Sequence, residues 1–210
     1  MEIFMSLKKT KIAVLVSGGG TNLQALIDAQ RDGVIKDGEI VLVVSSQPTA
    51  YALERAKNAG IDTAVAYKKE LGSHGAFEQR IRELLDEYKI DLIVLAGFMS
   101  ILSESFTSAY PQRILNVHPS LIPSFCGAGF YGLRVHEAAL KYGVKVTGAT
   151  VHFVNEIPDG GEIVMQRAVD VKEGDTPETL QRRVMEEAEW KILPAAVQLV
   201  CEQIKTEGKV

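Results

Sequence analysis

The feature that most constrains this chain is its first ordered-looking segment. Ile12-Ala13-Val14-Leu15-Val16 is apolar at every position and runs straight into Ser17-Gly18-Gly19-Gly20. A short apolar run rich in β-branched residues reads as a strand buried on both faces. Such a strand needs a covering layer on each side, which points to a parallel sheet between helices. The glycines then permit a tight turn. Thr21, with Gln24 three residues on, fits a capping box opening a helix. Leu23, Leu26 and Ile27 supply its apolar stripe, and Gly33 lies near where it should stop.

The alternation continues along the chain. Ile40 to Val44 reads as a strand, Tyr51 to Asn58 as a helix ended by Gly60, and Thr63 to Ala66 as a short strand. Phe77, Ile81, Leu84, Leu85 and Tyr88 keep helical spacing, so a helix is expected from about Gly75 to Tyr88. Asp91 to Ala96 and Ile114 to Val117 read as buried strands, with a short helix over Ser103 to Ala109 between them. Beyond Val144 the texture changes to two β-rich runs, Val146 to Val154 and Ile163 to Val171, around Pro158-Asp159-Gly160-Gly161. They are expected to add antiparallel strands to the sheet. A long helical stretch from about Pro177 closes the chain, with Pro194 expected to divide it. The predicted class is α/β: a mostly parallel, Rossmann-like sheet with helices on both faces and an antiparallel C-terminal extension. Residues 1–10 are expected to be a frayed leader and residues 11–210 a single domain.

Composition narrows the function classes. A length of 210 residues suits one domain, and 46% hydrophobic with 24% charged residues argues against disorder. A formal net charge of -4 gives no basic field, which disfavours a nucleic-acid binder. The longest apolar runs, such as Leu92 to Phe98, fall far short of the ~18 residues needed to span a bilayer. Met1 to Met5 has an acid at position 2 and no basic region, unlike a signal peptide. Cys126 and Cys201 stand alone, without zinc spacing, so reduced thiols in a cytoplasmic protein and no metal site are expected.

Three places carry chemistry. The Ser17–Asn22 turn joins a strand to a helix N-terminus, where exposed amides and the helix dipole favour an anion such as phosphate. It lacks the Lys-Ser/Thr of a Walker loop. A dinucleotide fingerprint would need glycine at position 23, where the chain has Leu23. A tight turn with no ligand remains the alternative. In Asn116-Val117-His118-Pro119, the residues two apart share one side of a strand at its carboxyl end, where open α/β sheets bind ligands. An amide and an imidazole side by side suit acyl chemistry: one stabilises an oxyanion, the other moves a proton. Asp159 lies in an Asp-Gly turn. If it reaches His118, its charge favours the imidazolium and raises the pKa. No activated serine or cysteine accompanies these groups, so a direct transfer with the substrate itself as the nucleophile fits better than a covalent acyl-enzyme.

These residues resemble the phosphoribosylglycinamide formyltransferase family, which is folate-dependent. The resemblance runs from about Lys11 to Gln203. It is carried by Val16 to Leu26, by Leu95-Ala96-Gly97-Phe98-Met99-Ser100-Ile101-Leu102, by Leu115-Asn116-Val117-His118-Pro119-Ser120-Leu121-Ile122-Pro123, and by Thr147 to Val154 followed by Asp159-Gly160-Gly161. The Asn-x-His-Pro-Ser-Leu piece is shared by formyl transferases that use 10-formyltetrahydrofolate, and the glycine-rich phosphate turn separates this branch from its relatives.

The resemblance implies a catalytic trio of Asn116, His118 and Asp159. It implies that Gly20, Thr21 and Asn22 hold the substrate phosphate, and that Glu189 contacts its ribose or amide end after a one-residue shift in local spacing. Met99, Ser100, Ile101 and Leu102 would line the pterin pocket, and His74 stands where relatives often carry a basic residue near the folate tail. The implied partners are phosphoribosylglycinamide and 10-formyltetrahydrofolate as co-substrate, with no nucleic acid and no membrane, in a monomer or homodimer. The N-terminal half would bind the phosphate and the C-terminal half the folate. A cis Ile122–Pro123 bond is implied as well. The stretch Ser124 to Gly132 is longer than in many relatives and reads either as a lid or as a length variant. Two other readings compete: a deformylase acting on the same folate, and a folate-binding sensor without catalysis.

Overall fold

The computed structural model describes residues 9–207. The expected leader therefore lies outside the described residues except for Lys9 and Thr10, and Thr10 already belongs to the first strand.

Seven strands form one sheet in the order β3-β2-β1-β4-β5-β6-β7. They are β1 (Thr10–Val16), β2 (Gly38–Ser45), β3 (Asp62–Val65), β4 (Leu92–Leu95), β5 (Ile114–His118), β6 (Val146–Phe153) and β7 (Ile163–Asp170). β1 to β5 pair in parallel, and β6 and β7 continue the sheet antiparallel. The continuous apolar run of β1 is explained by two cores. Ile12, Val14 and Val16 face one apolar cluster, while Ala13 and Leu15 face the other. Strand side chains alternate between faces, so a strand covered on both sides has no polar position to spare.

The helices are α1 (Thr21–Arg31), α2 (Tyr51–Asn58), α3 (Lys68–Leu71), α4 (His74–Tyr88), α5 (Glu104–Thr107), α6 (Leu133–Tyr142), α7 (Pro177–Val184) and α8 (Trp190–Glu207). α2 has the bounds expected from sequence, and α4 begins one residue earlier than expected. The short α3 is absent from the sequence reading, and three larger features differ. The capping box at Thr21 does not form: Gly20 caps α1 at φ +73°, with no side-chain bond, and Thr21 is already helical. α6 follows the Ser124–Gly132 loop unannounced in the sequence reading, although Val135, His136 and Ala139 bury one face of it between Gly132 and Gly143. The final helical stretch is not divided at Pro194, which lies inside α8. The interruption is a π-helical turn, Met185–Glu189. The i→i−4 ladder is already broken there, just before Pro194.

The order of strands reverses about β1, which has β2 on one side and β4 on the other. Ligands of open α/β sheets bind at such a switch point, beyond the carboxyl ends of the strands. That edge carries the Ser17–Gly20 turn after β1, the Gly97–Leu102 segment after β4, and His118 at the end of β5.

Candidate active site

The antiparallel register of β5 and β6 sets Asn116 opposite His152, and His118 opposite Thr150. Asn116 Nδ2 and His152 Nε2 lie 3.2 Å apart. Asp159 descends from the β6–β7 connection and faces both imidazoles: its Oδ2 is 3.4 Å from His118 Nδ1, its Oδ1 3.6 Å from His152 Nε2. The Gly127 amide donates to Asp159 Oδ2 at 2.8 Å. Asp159 adopts φ +57°, a left-handed conformation that aspartate tolerates better than most residues. The structure thus brings Asn116, His118 and Asp159 together and adds His152.

His118 is buried, and its Nε2 lies 2.9 Å from the Phe125 carbonyl. Both ring nitrogens face acceptors, so only the imidazolium satisfies both. Burial acts the other way and is the larger influence. It holds the His118 pKa below its ordinary value, against the upward pull of Asp159 and of the Phe125 carbonyl. The expectation that Asp159 raises this pKa is therefore corrected: the carboxylate does push it up, but desolvation outweighs the push. Burial also pushes Asp159 up. Its bonds to His152 and to the Gly127 amide, with the nearby imidazoles, more than offset that and leave its carboxyl below the usual range.

The Ser124–Gly132 loop packs onto this cluster. Ser120 donates to the Ser124 carbonyl, and the Phe125 ring meets Phe130 and Tyr142 edge-on. The Ile122–Pro123 bond is cis.

Beside the cluster opens a cleft of about 130 Å³. Leu95, Phe98, Ile101, Leu102 and Val154 give it apolar walls, and Asn116, His152 and Asp159 form its polar end. Ser100 also lines it. Met99 is not among the residues lining it. Its amide donates to Ser17 Oγ at 2.9 Å, and that hydroxyl also bonds Ser46 Oγ. Nor does His74 line the cleft. It pairs with Glu78 at 3.1 Å and stacks on Phe77, which in turn stacks on Phe98 in the cleft wall.

Gly20, Thr21 and Asn22 sit together at the start of α1, as expected. Asn22 Nδ2 donates to Glu189 Oε2 at 2.6 Å, so Glu189 joins the same corner. Glu189 is 6% exposed, and burial pushes its pKa up to about 6 despite the opposing bond from Asn22. Glu189 is the last residue of the π-helical turn, Met185–Glu189. Among the described residues no cluster of His, Cys, Asp and Glu is placed to hold a metal ion, and no helix is long and apolar enough to cross a membrane.

Sequence reasoning missed His152 and the backbone groups of Phe125 and Gly127. Their signal lay in strand register and loop path, which residue spacing does not carry. It also missed Arg55, whose guanidinium contacts the glycine turn.

Comparison with known proteins identifies the family and the fold. The formyl transferase family matches residues 10–197. A phosphoribosylglycinamide formyltransferase from Haemophilus influenzae is 42% identical over 200 residues, 95% of this chain and 89% of that protein. The trifunctional purine biosynthetic protein adenosine-3 of Gallus gallus is 48% identical over 96% of this chain, which spans only 20% of that longer protein. The crystal structure of glycinamide ribonucleotide transformylase 1 from Symbiobacterium toebii superposes with a TM-score of 0.89 at 43% identity, covering 97% of this chain and 92% of the other.

Proposed function

The chain belongs to the formyl transferase family, and on that premise we propose that it moves the formyl group of 10-formyltetrahydrofolate onto the amine of phosphoribosylglycinamide, a step of purine synthesis. The observation that carries the reading is the meeting of Asn116, His118 and Asp159 between an apolar cleft and the glycine turn. The folate pterin enters the cleft between Leu95, Phe98, Ile101 and Leu102. The phosphate of the second substrate rests on the amides of Gly20, Thr21 and Asn22, and its ribose end reaches Glu189.

The chemistry follows from these positions. The substrate amine attacks the formyl carbon and forms a carbon–nitrogen bond while the carbonyl oxygen gains negative charge. Asn116 Nδ2 and the His118 Nε2–H donate to that oxyanion. Preorganised donors of this kind are each worth ~2.7–4 kcal/mol of barrier. The attacking nitrogen then loses a proton, the bond from the formyl carbon to folate nitrogen breaks, and that nitrogen takes a proton. Asp159 holds the charge on His118 through this exchange, and His152 fixes Asn116. For His118 to act, its Nε2 must leave the Phe125 carbonyl, so the Ser124–Gly132 loop shifts when substrates bind. The same reading carries a cytoplasmic location and a monomeric or homodimeric state.

The test is His118→Asn. Turnover should fall by about 10²–10³ or more, as for loss of an oxyanion donor, while folate affinity stays close to that of the wild type. A variant with near-normal kcat would refute the assigned role.

A further inference from the structure

Arg55 lies on α2, outside every motif discussed above, yet it reaches back over the glycine turn. Its Nε donates to the Gly19 carbonyl at 2.8 Å, and Nη1 donates to Gln24 Oε1 at 3.1 Å. The guanidinium carbon stands 5.1 Å from the centre of the Tyr51 ring. One residue earlier in the turn, the Gly18 carbonyl accepts from the Ala52 amide at 3.1 Å. The turn is pressed against α2: a Cβ on Gly20 would stand 2.7 Å from Ala52 Cβ. Two successive carbonyls of the turn are therefore tied to α2.

The peptide plane makes this consequential. In a trans peptide, the carbonyl of one residue and the amide N–H of the next point in opposite directions. Tying down the carbonyls of Gly18 and Gly19 turns the amides of Gly19 and Gly20 away from α2. Neither amide has a partner among the described residues. Successive outward amides form an anion-binding concavity. An independent feature marks a polar ligand beside it. Glu189, 6% exposed, has Asn22 as its single hydrogen-bond partner among the described residues, so its second oxygen is left to accept from a ligand. Arg55 bonds only neutral groups, the Gly19 carbonyl and Gln24 Oε1, and pairs with no carboxylate among the described residues, so it also brings a positive charge to the turn.

We propose that Arg55 is the positioning residue that sets this protein's preference for a phosphorylated over an unphosphorylated substrate, by locking the Gly18–Gly20 turn with its amides outward. The inference rests on the substrate reading above and deepens it. Lysine cannot reproduce the lock, because it lacks the planar fork that reaches the Gly19 carbonyl and Gln24 together.

The experiment is calorimetric binding to the full chain as wild type, Arg55→Gln and Arg55→Lys. The ligands are phosphoribosylglycinamide, its dephosphorylated nucleoside, and a non-reactive folate analogue. Wild type should prefer the phosphorylated ligand. Arg55→Gln should lose about tenfold to hundredfold of that affinity, the range for a charge-assisted hydrogen bond. Its affinity for the nucleoside and the folate analogue should change less than twofold, which a general loss of structure would not spare. Arg55→Lys should also lose most of the preference. Wild type binding nucleotide and nucleoside equally would overturn the substrate reading and the role of Arg55 with it. Wild-type preference that survives in Arg55→Gln would overturn the role of Arg55 alone. Should Arg55→Gln lose the folate analogue too, Arg55→Lys decides, and a full preference there overturns the positioning role.

Discussion

His136 offers a quantitative test of how this core is built. It sits on α6, is fully buried, and neither ring nitrogen has a hydrogen-bond partner among the described residues. Burial, with a smaller contribution from the charge of His118, pushes its pKa down to about 4 from an ordinary 6.5. In the unfolded chain the same imidazole takes a proton near 6.5. Between those values the unfolded state binds more protons than the folded one, so stability falls as pH falls from 6.5 toward 4. At about 1.36 kcal/mol for each pH unit, the whole effect is worth about 3 kcal/mol. Glu189 works against it. Its carboxyl is raised from 4.5 to about 6, so the folded state binds its proton first and gains about 2 kcal/mol as pH falls through that window. The wild-type curve therefore shows only part of the histidine's effect. The Asp37, Asp159 and Asp175 carboxyls, held low, lose their contribution only as pH falls below the ordinary 3.8.

The perturbation that isolates His136 is His136→Phe, compared with wild type by thermal melts at pH 7.5 and pH 4.5. Glu189 and the other groups are common to both proteins and cancel in the difference. The variant should gain about 2–3 kcal/mol on the wild type between the two pH values. That corresponds to about 5–10 °C in Tm for a chain of this size. A gap between the two proteins that is the same at both pH values would refute the reasoning.

Three further outcomes are expected. Asp159→Asn should lower kcat and move the His118 limb of the pH–rate profile to lower pH, because the carboxylate is the charge that raises the proton affinity of His118; an unchanged profile would detach Asp159 from the site. Gly161→Ala should destabilise by about 1–3 kcal/mol and lower kcat, because a Cβ there overlaps the Phe153 carbonyl and forces β6 from the turn that carries Asp159; a chemical denaturation midpoint and kcat both matching wild type would contradict this. Asn22→Ala removes the only hydrogen-bond partner of Glu189 seen among the described residues, so the Glu189 pKa, followed by carbonyl infrared titration, should climb above about 6, and a value that stays or falls would show that Asn22 does not hold the charged form.

Much of the fold could be read before any coordinates. The apolar run of β1 and the helical spacing of α4 are local patterns set by burial, and the sheet follows from them. The cap of α1 was misread because Thr21 and Gln24 have the right spacing, while the turn instead needs Gly20 at positive φ against Ala52. α6 is not legible because its buried face, Val135, His136 and Ala139, is short, includes a histidine, and follows a loop rich in glycine and aromatics. Pro194 has the sequence mark of a helix breaker, whereas the break falls at the π-helical turn that presents Glu189. At the site, Asn116 and His118 were legible because two residues on one strand share a face. His152 was not, because its place opposite Asn116 depends on the register of two strands distant in sequence. Arg55 was not, because its partner is a carbonyl in a turn. The pKa of His118 was misjudged in direction because a carboxylate is visible in sequence and depth of burial is not.

The most direct test of the account is turnover of 10-formyltetrahydrofolate, followed by absorbance, with phosphoribosylglycinamide present and then absent. The account predicts formyl release only when both are present, with one formylated ribonucleotide made for each tetrahydrofolate released. Folate deformylation at the same rate without the amine, or folate binding with no turnover in either case, would contradict it.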